Sequence, residues 1–475
     1  MFKLSVKSIV LVIAICLTTL QIYSCGKDIS GTVPKPAGKQ LYIPSKVWNV
    51  PENNDFANEA SEFCFKRMKE SENIAVFWAK KFGNDPTANP DLSLQFNPEK
   101  ILAEGERIYE YYVNDLKFVE KGNSITDKYK CLIFIIDSKE GTAFGGGEEN
   151  KVGIFWAPPE RMSKAPFGAL AHELGHSFQY LLSADKAKGE TTSEGGGGGS
   201  YSFVEMTSQY MLWQVYPEWM TFENYHLVDF MKQTHLAFLH EENMYHSPYV
   251  LEYWSDKHGL DFIGKMWRES KEGEDPVMTY KRLTTISQEK FNDEIFDAAR
   301  RFITWDMKRI EQVAKKYANQ HYTILDSIGG GWFQISESKC PQNYGYNAIK
   351  LIVPEAGTTV TLNFKGIAGA EGYRAIKIGK AGWRYGFLAV KDDGSRDYGS
   401  VYSDPNAEAQ FIVPANTRFL WLVVSGAPTE HWPHDIDGDV KNDEQWPYQI
   451  KLSGTSIDFS ANSKILNVSG SQKTQ

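Results

Sequence analysis

Hydrophobic and polar positions divide the chain into stretches of different period. A mostly apolar run at residues 9–22 follows the basic Lys3 and Lys7. It is short for a membrane span and polar sequence follows it, so residues 1–25 read as a signal segment. Residues 26–52, opening on Gly, Lys and Pro, read as a tether. From 53 to 328 the periods are mixed. Asn97-Pro98 joins an N-cap to a proline at the first helical position, and apolar residues at helical spacing continue to Leu116. Short apolar runs at 129–136 and 152–157 predict strands. The second follows a predicted turn at Gly145-Gly146-Gly147 and is stopped by Pro158-Pro159. Helices are expected over 166–182 and over 202–216, the latter stopped by Pro217. Ser247-Pro248 opens another that ends at Gly259, and Asp275-Pro276 and Ser287 are further N-caps. Beyond Ile328-Gly329-Gly330-Gly331 the period becomes two. Runs at 349–353, 359–364, 387–390, 410–413, 419–424 and 448–452 predict an antiparallel β-sandwich of about seven to nine strands over 329–456, with a tail at 457–475. The pattern as a whole is α+β.

At 475 residues the chain is longer than one ordinary domain, and 42% hydrophobic with 13% aromatic residues is enough to bury sizeable cores. The net charge of −9 is spread along the sequence. No Lys/Arg-dense block appears, which excludes nucleic acid as the expected partner. Of the five cysteines, Cys16 lies in the signal segment. Cys25 closes Ile22-Tyr23-Ser24-Cys25, which resembles a bacterial lipobox. That resemblance implies acylation of Cys25 and attachment to the bacterial cell envelope (outer membrane, periplasmic or surface-facing) through the N-terminal lipid only. Cleavage near Ser24 with plain secretion is the alternative. Cys64, Cys131 and Cys340 form neither a disulfide framework nor a Cys-x-x-Cys site.

The chemistry concentrates in His172-Glu173-Leu174-Gly175-His176. On a helix, residues i and i+4 share a face, so two imidazoles can address one ion about 2.0–2.1 Å from each ring nitrogen. Glu173 stands beside that face, free to exchange a proton with water rather than ligate. One Zn2+ per chain is the expected cofactor. The neighbours of the motif are uncharged, as a buried active-site helix requires. A hydrolytic zinc site takes a third protein ligand. Glu205, early in the helix after the Gly-rich 195–199 loop, is the best candidate, with Glu190 and Glu194 as rivals.

HELGH followed by a glutamate on a later helix resembles the gluzincins, the thermolysin-type zinc peptidases. The long separation is closer to their enhancin-like, mucin-directed branch. The whole chain also resembles a group of secreted bacterial HExxH proteins with a β-rich C-terminal part. The resemblance implies a zincin-like catalytic domain, with His172, His176 and Glu205 as ligands and Glu173 as general base and acid. Gln209 stands where the thermolysin pattern has the Asp that orients a ligand histidine. Tyr245 and His246 are the best-placed residues for the family's oxyanion-stabilising role, with His240 a weaker option. Strand 152–156 would be the edge that pairs with an extended substrate. The expected activity is zinc-dependent hydrolysis of peptide bonds in proteins or glycoproteins. The alternative is a surface lipoprotein with a peptidase-like shell that binds glycan or protein.

The C-terminal part adds one acidic turn. Asp435, Asp437, Asp439 and Asp443 are spaced to offer oxygens to a calcium ion, although the glycine falls too early for an EF-hand and a plain solvated turn is the alternative. Trp383, Trp432 and Trp446 are candidate stacking faces for a glycan, against the core packing usual for tryptophan.

Overall fold

Three runs of apolar residues supply the centre of the first sheet. The computed structural model describes residues 38–138, 141–187 and 201–460. The signal segment with Cys25, the 188–200 stretch with Glu190, Glu194 and the glycine loop, and the tail beyond 460 lie outside the described residues. Strands β1 (Met68–Glu70), β2 (Ile74–Trp78), β3 (Cys131–Ile135), β4 (Phe144–Glu148) and β5 (Val152–Ala157) form one sheet in the order β1-β2-β3-β5-β4. β2, β3 and β5 run parallel, while β1 and β4 are antiparallel edges. The parallel strands are buried at every position, which is why they read as unbroken apolar runs without alternation.

Gly145, Gly146 and Gly147 are therefore not a turn. They lie in β4, paired with Phe155, Ile154 and Gly153. Strand 152–157 is accordingly not an edge either, because β4 covers it. Glycine runs carry turn signals in sequence; here their missing side chains instead let a helix approach the sheet.

The helices cover the sheet and extend from it. α1 (Pro98–Asn114) is capped by Asn97, whose side chain accepts from the Lys100 N–H. α2 (Gly168–Ala187) buries Leu170, Ala171, Leu174, Phe178 and Leu181. The Tyr112 hydroxyl of α1 donates to the Ala171 carbonyl at 2.9 Å, tying the two helices together. α3 (Tyr201–Val215) is buried at all positions but Tyr201 and Val204. α4 (Asn224–Gln233), α5 (Tyr249–His258), α6 (Phe262–Glu269), α7 (Pro276–Thr284) and α8 (Gln288–Phe302) follow. The caps at Asp275 and Ser287 accept from Met278 and Lys290, and Gly259 ends α5 at φ 105°. Among the described residues no helix is long and apolar enough to cross a membrane.

Among the described residues nine further strands follow: β6 (Leu325–Gly329), β7 (Trp332–Ile335), β8 (Tyr346–Leu351), β9 (Thr359–Gly366), β10 (Trp383–Lys391), β11 (Arg396–Tyr398), β12 (Asn406–Ile412), β13 (Thr417–Gly426) and β14 (Tyr448–Ser453). They make two antiparallel sheets, β11-β10-β13-β8 and β12-β9-β14-β7-β6. Alternate residues of the first sheet serve different cores. Leu420, Leu422 and Val424 pack between the sheets, whereas Trp421, Val423, Leu388 and Val390 join the same core as α2 and α3. The sandwich is thus fused to the helical part through a common interior.

Candidate metal centre

The backbone spacing of α2 places His172 and His176 one turn apart, and α3 brings Glu205 to them. His172 Nε2 and His176 Nε2 are 3.1 Å apart, and each lies 3.2 Å from Glu205 Oε2. Close helix packing makes this triangle: a Cβ on Gly175 would fall 2.9 Å from Ser208 Oγ. The glycine within HELGH therefore sets how near the two helices come. The glycines of β4 act from the other side. A Cβ on Gly145 would lie 2.4 Å from the Glu173 carbonyl oxygen and 2.9 Å from His176 Cβ, and one on Gly147 would lie 2.1 Å from the Tyr180 ring.

Two glutamines fix which ring nitrogens face the centre. Gln209 Nε2 donates to the Tyr245 carbonyl (3.1 Å), so its amide oxygen must be the atom 3.2 Å from His172 Nδ1. Gln179 Nε2 donates to the Val204 carbonyl (2.9 Å), so its oxygen faces His176 Nδ1 at 3.0 Å. A carbonyl can only accept, and both Nδ1 atoms therefore carry the proton. Ser208 Oγ, 3.1 Å from His176 Nδ1, shares that role. Both Nε2 atoms are left with bare lone pairs, aimed at each other and at a carboxylate oxygen.

Three acceptors converging on one point repel unless a cation lies among them. Ligand atoms on a tetrahedral ion with bonds of about 2.0–2.1 Å are about 3.3 Å apart, close to the separations here. The donor set of two imidazoles and a carboxylate suits zinc. His172, His176 and Glu205 thus fit a divalent metal in both chemistry and spacing. Without a metal the pocket draws a proton instead. Burial disfavours the charged His176 ring, but Glu205 outweighs it and pushes the imidazole up to about 9. Burial likewise opposes ionisation of Glu205, yet the two histidines hold its carboxyl far below the usual range.

Glu173 does not join the triangle. Its carboxylate comes within 4.8 Å of the two ring nitrogens and is almost fully buried. Burial raises its pKa against the pull of His172 and His176. Tyr245 lies beside the centre, its ring 6.2 Å from that of His172 and its phenol hydrogen-bonded to Glu205. Burial and the Glu205 charge keep that phenol protonated. The Tyr201 hydroxyl reaches Glu205 Oε1 at 3.4 Å.

His246 is not brought to the centre. Its Nδ1 is 2.7 Å from His226 Nδ1, and His226 Nε2 accepts from Gln209 at 3.1 Å. His172, Gln209, His226 and His246 so form one hydrogen-bonded file leading away from the triangle. Burial, with His246 adding to it, pushes His226 down to about 2 and keeps it neutral. His240 also lies elsewhere, against Glu241 and Asp443.

Sequence reasoning missed Gln179, Ser208, Tyr201, His226 and the β4 glycines. Gln179 stands three residues beyond His176 and Tyr201 four before Glu205, so helical spacing carried a usable signal for both. His226 had none, since its place depends on how the chain returns after Pro217.

The expected calcium ligands do not converge. Asp435, Asp437 and Asp439 are exposed, and the last two cap local turns by accepting from Asp439 N and Lys441 N. Asp443 is buried and turns inward, where Gln342 Nε2 donates to it at 3.0 Å. The short Asx turns satisfy Asp437 and Asp439 locally. Trp383 and Trp446 are core residues, and only Trp432 keeps part of its face outside.

A sequence family described as "Family of unknown function (DUF6055)" matches residues 34–459. No curated protein matches the chain. Solved structures give faint likenesses. The M60 catalytic domain with the CBM51-1 and CBM51-2 domains from Clostridium perfringens ZmpB is similar at 10% identity and TM-score 0.29, over 84% of this chain and 60% of that one. The C-terminal family 22 carbohydrate-binding module of Clostridium thermocellum Xyn10B is similar at 12% identity and TM-score 0.18, over 28% of this chain and 80% of that one.

Proposed function

The chain belongs to the DUF6055 family, and we propose that its α2–α3 centre is the active site of a zinc-dependent hydrolase acting on peptide bonds. The observation that carries this reading is the orientation of the two histidines: Gln209 and Gln179 turn both Nε2 lone pairs onto the Glu205 oxygen. Buried acceptors in that arrangement need a cation, and the Glu173 carboxylate stands within 4.8 Å of a ring nitrogen of each histidine.

A zinc ion held by His172, His176 and Glu205 supplies Lewis acidity, which draws the pKa of water towards about 7. The remaining work falls to the chain. Glu173 takes the proton of the attacking water and returns it to the leaving amine. Tyr245, kept protonated, donates to the oxygen that gains negative charge. β4 offers the free edge of the sheet next to α2, where an extended peptide can add as a further strand. Exposed Trp48 and Phe144, with rings 5.4 Å apart, stand at the start of that edge. A flat sugar or aromatic group on the substrate would stack there.

Glu173→Gln decides the mechanism. Hydrolysis of a broad peptide or glycoprotein set should fall by about 10²–10⁴ while zinc content stays unchanged. Unaltered turnover with zinc in place would remove Glu173 from the chemistry. Those two aromatic rings also support the second reading, a surface protein that captures glycopeptide without cutting it. Equal binding by wild type and Glu173→Gln, with no product from either, would favour that reading.

A further inference from the structure

A second group of metal-ligand side chains lies where the sandwich meets the helical part. His240 comes from the loop after α4, while His434 and Asp443 come from the loop between β13 and β14. One ligand atom from each lies within 4.8 Å of the other two. His240 Nε2 is 3.4 Å from Asp443 Oδ2, and His434 Nδ1 is 3.8 Å from Asp443 Oδ1. All three are deeply buried in their side chains, His240 at 1% exposure.

Two features separate this cluster from an ordinary buried ion pair. His240 Nε2 makes no hydrogen bond although it is buried and faces Asp443. Such an orphan costs free energy unless something occupies the space before it. One carboxylate also backs both rings, since Glu241 Oε2 lies 3.2 Å from His434 Nε2 and 3.5 Å from His240 Nδ1. A carboxylate behind the far nitrogen is the arrangement that orients metal-bound histidines. The neighbouring His431–Asp275 pair shows the contrast: at 2.6 Å it is closed, and Tyr344 satisfies the other ring nitrogen at 3.0 Å.

We propose that His240 Nε2, His434 Nδ1 and Asp443 hold a second divalent metal ion, of the borderline class that zinc represents, and that this ion fastens the sandwich loop to the helical part. Two imidazoles and a carboxylate exclude calcium, which takes oxygen ligands. Loading moves the His240 proton from Nε2 to Nδ1. There Glu241 receives it, in exchange for the 3.1 Å contact that Nδ1 now makes with the Glu242 N–H.

The site is tested in the full chain with the first centre removed. His172→Ala/His176→Ala protein, supplemented with zinc and dialysed, should retain about one zinc per chain. That zinc should be lost on adding His240→Ala or Asp443→Asn. A folded double variant without zinc overturns the proposal, as does zinc that survives both added substitutions. Should the double variant not fold, cobalt(II) titration of the metal-free wild type replaces it. Two separable visible spectra filling in turn are expected, and saturation after one equivalent overturns the site. The Glu173→Gln result leaves this outcome untouched, so the two readings fail independently.

Discussion

At the scale of single residues, the candidate centre depends on two glutamines as much as on His172, His176 and Glu205. Gln209 fixes the tautomer of His172 and Gln179 that of His176, each anchored by a backbone carbonyl that can only accept. Gln209→Ala should weaken zinc binding by about 10–100-fold, read by competition with a chromogenic chelator. Unchanged affinity would mean that packing alone holds the ring. The convergence of His172, His176 and Glu205 was legible because helical spacing puts i and i+4 on one face and a later helix can return an acid to it. His246 was misplaced for the opposite reason. It is adjacent to Tyr245 in sequence, but the backbone turn sends the two side chains apart, Tyr245 to Glu205 and His246 to His226. His321 shows how burial alone sets behaviour in acid. Its ring is 1% exposed, bonds Tyr346 at 2.7 Å through Nε2, and is pushed down to about 3 by burial. A folded pKa below the unfolded value of 6.5 makes its contribution complete above pH 6.5, and it drains as pH falls towards 3. It amounts to about 1.4 kcal/mol per pH unit over that span. His321→Phe should therefore flatten the drop in melting temperature between pH 7 and pH 5. An identical slope in the variant would assign the acid sensitivity elsewhere.

At the scale of elements, β4 is the piece that sequence periodicity could not supply. Three glycines have no side-chain pattern, so neither a period of two nor a strand propensity can show. The reason they form a strand lies in α2, which packs so closely that a methyl group would collide. Gly145→Ala should cost about 1–3 kcal/mol and reduce zinc occupancy, because its Cβ meets the backbone of Glu173 and the Cβ of His176. Gly146, whose Cβ would meet nothing within 4 Å, is the matched control, and Gly146→Ala should melt near wild type. Equal behaviour of the two variants in melting and zinc assays would refute this role for the close contact. The helices, by contrast, were legible at their ends. Asn97, Asp275 and Ser287 each cap the helix that follows, since a cap is a local hydrogen bond needing no tertiary partner.

At the scale of the whole molecule, the alternating strands of the sandwich were visible in the sequence, but their second role was not. A period of two shows that a strand has two faces without showing what the outer one touches. Here Trp421 and Val423 of β13 pack into the interior that also receives Leu174 and Phe178 of α2. A shared interior couples regions that never touch the α2–α3 centre. Amides in the centre of β13 should exchange their hydrogens through opening of the entire chain. An ion that binds the closed state alone lowers the population of that open state in proportion to ligand excess over Kd. In the Asp443→Asn chain, which keeps only the α2–α3 centre, hydrogen–deuterium exchange of the β13 peptide should slow by about 100-fold when zinc is raised from absence to 100 times its Kd. Exchange in β13 that ignores zinc would separate the two halves energetically. Slowing there would make a strand without a single ligand a reporter of the occupancy of α2.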